Sequence, residues 1–202
     1  MQSVESKVLE KIRAIPKGKL FFPEDLQDFG SSEAVRVSLH RLEKEHYIKR
    51  VAQGIYVRPK IDRLIGELTP SAEEVAQAIA KRDRIRTIPT GLYALNALGL
   101  STQVPMKIVL LTDGSAREIK VGRRTIKFKK TSPKILSAKG KISKLVIQAL
   151  KEIGLNKQTE AEELKIIQLL QKEHKEDLLH DIKIAPVWIQ KIMQKALKNE
   201  RI

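Results

Sequence analysis

The chain has 202 residues, 42% of them hydrophobic, so a packed core is within reach, and it has no cysteine, which excludes disulfides, thiolate metal sites and thiol nucleophiles. Lys and Arg number 39 against 24 Asp and Glu, a formal net charge of +15 that suits a polyanionic partner. No apolar run approaches the roughly 18 residues of a membrane span and the opening segment is charged throughout, which predicts a cytoplasmic protein with no membrane contact.

After Ser3, a good N-cap, Val4, Val8, Leu9, Ile12 and Ile15 recur at helical spacing until Pro16 and Gly18 end the pattern. In FFPEDLQDFG, Pro23 fits the first turn of a short second helix that points Leu26 and Phe29 inward and stops at Gly30. Ser31 or Ser32 caps a third helix, whose Val35, Leu39 and Leu42 make one buried stripe. Turning about 100° per residue puts Glu33, Val37, His40, Arg41 and Lys44 on the opposite face, with Arg36 on its flank.

The sequel YIKRVAQGIYVRP reads as two strands, 48–52 and 55–58, around the tight turn Gln53-Gly54. Three helices followed by a basic hairpin predict a winged helix-turn-helix over residues 1–60. In that reading Ser32, Glu33, Arg36, Val37 and His40 reach base edges, and Arg41 and Lys44 meet phosphates. Arg50, Gln53 and Arg58 of the wing straddle the backbone or enter the minor groove. A solvated amphipathic helix, or a winged fold used only for protein or RNA contact, remains the alternative.

Residues 61–202 are predicted to form a second, α+β domain with a small antiparallel sheet and C-terminal helices, so the whole chain is α+β. A connector from Lys60 leads to Ser71 and Glu74, a capping box for a helix with Val75, Ala76 and Ile79 inward. Thr90 caps a short helix with Leu92, Leu95 and Leu98, closed by Gly99. Three strands at 106–112, 117–121 and 125–130, with turns at Asp113-Gly114 and Gly122, read as an antiparallel meander. Beyond Lys144 come three helices: Leu145 to Ile153 closing at Gly154, one capped by Thr159 with Glu162, and one opened by Pro186 and carrying Trp188.

The positive charge gathers in the middle, where 117–144 holds 11 basic residues and only Glu118 as an acid, so a second cationic surface is expected there. Lys120, Arg123, Arg124, Lys127 and Lys129 are its candidates, against the alternative of an edge sheet defended by lysines. The near-neutral C-terminal helices are expected to pack or to present a protein surface.

The winged helix, then IPTGLYALNALGLSTQVP, TDGSAREIKVGRRTIKFKKT and a terminal IAPVWIQKIM, in this order resemble the AbiEi-type antitoxins of type IV toxin-antitoxin and abortive-infection systems. The resemblance implies a regulator binding double-stranded DNA at repeats in its own promoter. It also implies a nucleotidyltransferase-like toxin encoded in the same operon, opposed without a stable complex. Of the family's functional positions, only the DNA-facing ones of the winged helix carry over to this chain.

Nothing in the sequence points to an enzyme or a cofactor. Gly-rich phosphate loops, dinucleotide fingerprints and nucleophile elbows are missing from the sequence. His174 and His180 stand about 240° apart on a helix, while Asp177 and Asp181 share a face that a solvated helix surface explains.

Overall fold

The computed structural model describes residues 3–198, and it is a mixed α+β chain of two compact units. The first unit runs to Ile79 and takes in Ile119–Arg124; the second comprises Ala80–Glu118 and the chain from Thr125 onward.

In the first unit, Ser3 Oγ accepts from Ser6 N at 3.2 Å and starts α1 (Val4–Ala14), which buries Val8 and Ile12. The chain then enters a two-residue strand, β1 (Leu20–Phe21), and a 3-10 turn over Pro23–Phe29. Pro23 lacks an N–H and fits the start of that turn, and Asp25 Oδ2 accepts from Phe22 N at 2.8 Å. Ser31 caps α2 (Ser32–Lys44) by accepting from Ala34 N at 3.2 Å. Of α2, Val35, Leu39 and Leu42 are buried as the spacing requires, and Ser38 joins them by donating to the Ala34 carbonyl at 2.9 Å.

Strands β2 (Lys49–Ala52) and β3 (Ile55–Val57) follow, and β1 pairs with β3 on its other edge, so the antiparallel order is β1-β3-β2. Gly54 supplies the left-handed turn position at φ 68°, and the register slips between Arg50 and Ala52. Val8, Ile12, Phe21, Leu26, the α2 stripe, Ile48 and Tyr56 close one core. Each fully buried aliphatic or aromatic side chain there contributes about 1.5–3 kcal/mol relative to exposure.

Residues 60–68 are not a bare connector. They form a two-stranded hairpin, β4 (Lys60–Asp62) and β5 (Gly66–Leu68), the two strands pairing, among the described residues, only with each other. Its three-residue loop closes because Asp62 Oδ1 accepts from Leu64 N at 2.8 Å and Ile65 N at 3.2 Å, and Gly66 takes φ 79°. Helix α3 (Ala72–Arg82) then opens on the expected capping box: Ser71 N donates to Glu74 Oε2 at 2.7 Å and Glu74 N to Ser71 Oγ at 3.1 Å.

Further along the chain, β6 (Thr87–Thr90) leads to the short α4 (Leu92–Ala97), and then come β7 (Lys107–Thr112), β8 (Arg117–Val121) and β9 (Arg124–Lys130), of which Ile119–Val121 and Arg124 belong to the first unit and the rest to the second. The expected meander is replaced by the order β6-β7-β9-β8, with β7 antiparallel to β6 and parallel to β9. The physical reason is burial. Ile126 and Phe128 of β9 lie in register with Ile108 and Leu110 of β7 and all four are buried, whereas β8, with Arg117, Glu118 and Lys120, has the charge an edge strand wants.

The remainder is helical: α5 (Lys141–Ile153), α6 (Glu160–Leu170), α7 (Lys175–Ile184) and α8 (Val187–Lys198). That is one helix more than the sequence suggested, because α7 ends just before Pro186 and the spacing alone does not mark its start. Val146, Leu150, Ile166, Leu170, Ile189 and Met193 centre a core that Ala94 of α4 also enters.

Two carboxylates hold the start of α5. Asp181, fully buried, accepts from Lys139 N at 2.9 Å and Gly140 N at 2.8 Å, with His180 Nδ1 2.8 Å away. Glu173 Oε2 accepts from Ile142 N at 2.5 Å and Ser143 N at 3.0 Å. Asp181 is thus turned to backbone N–H groups inside the protein and not to a shared solvent face with Asp177. No helix among the described residues is long and apolar enough to cross a membrane.

Candidate nucleic-acid interface

The stripe that buries Val35, Leu39 and Leu42 leaves the other side of α2 bare. Ser32, Glu33, Arg36, Val37, His40, Arg41 and Lys44 are all exposed, so every residue expected on this face is there. Val37 is 46% exposed, an apolar side chain among polar neighbours at the first half of the helix. One of the two cations expected at phosphates is already engaged: Arg41 Nη1 lies 2.8 Å from Glu5 Oε2 of α1. Lys44, in the last turn, suits the negative end of the helix dipole.

On the hairpin, Arg50 and Gln53 are exposed, the latter beside Gly54 at the turn. Arg58 behaves otherwise. Its Nη1 donates to the carbonyl of Ile15 at 2.6 Å and to that of Arg13, so the guanidinium closes the C-terminal end of α1 instead of pointing outward. The wing reading put it among the outward side chains, but the free carbonyls of a helix more than 40 residues upstream are invisible to a local reading of the hairpin. Tyr56, buried in the core, has its phenol pushed up by desolvation, against an opposing pull from the Arg50 charge. Arg13 was not singled out in the sequence, yet its guanidinium stands 5.7 Å from the centre of the Tyr47 ring and donates to the Tyr47 hydroxyl at 3.1 Å.

The five residues expected to make a second cationic surface divide between the units. Lys120, Arg123 and Arg124 belong to the first, Lys127 and Lys129 to the second. Lys120 and Arg123 are exposed, whereas Arg124 is half-buried with Nη1 2.8 Å from Glu73 Oε1, an ion pair that removes it from the free charge. Lys127 and Lys129 are exposed on one face of β9, opposite Ile126 and Phe128, and stand beside Val109 and Leu111 of β7. Arg117, also basic by count, is spent on Asp83 and lies 5.2 Å over the Phe128 ring.

The architecture is that of a mixed α+β protein whose candidate nucleic-acid contacts ride on one helix and two hairpins. The chain belongs to DUF6088, a family of unknown function whose model matches residues 7–178. No curated protein matches it significantly. Among solved structures it is similar to the RV2827C protein from Mycobacterium tuberculosis, at 12% identity and a TM-score of 0.46, covering 95% of this chain and 81% of that one.

Proposed function

We propose that the chain is a sequence-specific DNA-binding regulator that reads its site with a winged helix-turn-helix built from α1, the 3-10 turn, α2 and the β2–β3 hairpin. The observation that carries this reading is the two-sidedness of α2, with Val35, Leu39 and Leu42 buried and Ser32, Glu33, Arg36, Val37 and His40 exposed together near its N-terminal half. A helix entering the major groove needs that arrangement: a firmly packed back and short or forked polar groups towards base edges. Arg36 suits guanine, and the exposed Val37 suits a thymine methyl. Lys44, Arg50 and Gln53 border the face and supply phosphate contacts, while Arg58 positions the hairpin from inside.

Lys127 and Lys129, and separately Lys120 and Arg123, make further, sequence-independent contacts with nucleic acid in this reading. The resemblance in module order to AbiEi-type antitoxins extends it to an autorepressor of its own promoter repeats. Its operon partner is then a nucleotidyltransferase-like toxin, opposed without a stable complex. The chain acts by binding and not by catalysis.

The deciding experiment is competition binding of the full chain to its own upstream region against random duplex at physiological salt. A specificity ratio of about 10³ or more supports a regulator. Equal affinity for both overturns the reading and leaves a non-catalytic protein- or RNA-interaction module. Rescue of cells from the neighbouring gene's product tests the antitoxin role independently of DNA binding.

A further inference from the structure

The β4–β5 hairpin is anomalous for a surface element. Ile61, Leu64 and Ile65 are 77%, 94% and 75% exposed, and neither strand has a partner beyond the other among the described residues. A lone two-stranded hairpin is marginal in water, and an open edge carries a row of unpaired N–H and C=O groups that templates another strand. The question is which strand covers it.

The charge pattern of β4 answers it. Lys60-Ile61-Asp62 reads with opposite signs about a central Ile61. An antiparallel copy of β4 placed by a two-fold axis at Ile61 therefore sets Lys60 against Asp62 of the second copy, twice, and the two Ile61 side chains against each other. The same operation on β5 sets Glu67 against Glu67, which repels, and Glu67 is already held by Lys49 Nζ at 3.0 Å. Asp62 keeps its charge for the pairing, because the Leu64 and Ile65 N–H groups it accepts from hold its carboxyl below the usual range.

We propose that the chain forms a two-fold dimer by pairing β4 with β4 of a second copy, the hairpin's apolar side chains being covered in that contact. The occupant is a second copy because the edge is complementary to itself. Self-pairing through β4 needs no DNA, so it stands or falls apart from the regulatory reading.

The test is sedimentation of the full chain without DNA over a range of concentrations. A reversible dimer is expected. Lys60→Glu and Asp62→Lys each replace both attractive pairs by repulsive ones, and each alone is expected to weaken dimerisation by about tenfold or more. Asp62→Lys also removes the loop cap, so the decisive sample is the mixture. Lys60→Glu with Asp62→Lys restores attraction at both pairs, and a mixed dimer is expected to return to near the original strength.

Because the chain has no native cysteine, Ile61→Cys is expected to form a disulfide-linked dimer at least about tenfold faster than Glu67→Cys, their directly opposed Cβ atoms lying about 5 Å apart. A chain that stays monomeric at every concentration overturns the proposal, as does a Lys60→Glu variant that dimerises unchanged or a mixture that does not recover. So does a monomer whose DNA affinity falls on Ile61→Lys, which assigns the hairpin to nucleic acid.

Discussion

Asp181 and Arg58 show how far a single side chain's role depends on backbone that arrives from elsewhere. Asp181→Ala strands the buried Gly140 N–H and frees the part-buried Lys139 N–H, and the orphaned Gly140 donor costs about 1–3 kcal/mol. The expected result is a large drop in the urea midpoint with an unchanged slope, measured by circular dichroism. Gly140 is constrained by the same cluster: an added Cβ overlaps Ser143 Oγ and lies 2.5 Å from Glu173 Oε2, so it displaces the carboxylate that caps α5. Arg58→Ala removes two charge-assisted bonds to α1 carbonyls, an expected loss of about 1–3 kcal/mol that thermal melts will show. The salt slope of DNA binding should stay as it is, since no phosphate contact is lost. Neither the Asp181 nor the Arg58 role was legible in the sequence, because each joins groups more than 40 residues apart, whereas the Ser71–Glu74 and Thr159–Glu162 boxes were legible because a cap and its partner are three residues apart.

At the scale of elements, α2 was read correctly because an amphipathic helix declares its buried side by period alone. Two substitutions on its exposed face test what that face does. Arg36→Ala or His40→Ala should cost roughly 1–3 kcal/mol at one base pair and relax preference there, as read by a panel of single-base operator variants. Full discrimination by both variants removes α2 from base reading. Lys127→Gln with Lys129→Gln should weaken binding to every sequence alike and flatten the dependence of log K on log salt by about two units, one per phosphate contact. An unchanged slope makes β9 a solubilising face. The β4–β5 hairpin escaped the sequence reading because three-residue strands give no periodicity to detect. The order β7-β9-β8 escaped it because chain proximity favours neighbours, and only the block of Ile108, Leu110, Ile126 and Phe128 decides otherwise.

For the molecule as a whole, residue 60, after which the split was expected, lies inside the first unit, which runs on to Ile79 and takes in Ile119–Arg124. Charge balance in the second unit rests partly on two aspartates. Burial raises the carboxyl pKa of Asp83, but hydrogen bonds from Arg82 and Arg117 outweigh it and leave the group below its usual range. Asp113 is lowered by bonds from the Arg86 side chain and backbone. Groups depressed in the folded state stabilise it fully above the unfolded value of about 3.9 and lose that contribution as pH falls through the folded value. The urea midpoint should therefore hold between about pH 7 and 5 and fall below about pH 4. The double variant Asp83→Asn, Asp113→Asn should show a shallower fall over that acid range.

The insertion of β9 between β7 and β8 carries an expectation for the order in which the sheet assembles, since the β8–β9 pair closes a far shorter loop than β9 with β7. Gly122, at φ 57° in the two-residue link to β9, lets the β8–β9 hairpin close locally, on a scale of about 1–10 μs. Strand β7, although earlier in the chain, is then expected to keep one edge open until that hairpin docks alongside it. A Gly122→Val substitution, strained at that φ, should accordingly slow refolding in a stopped-flow experiment.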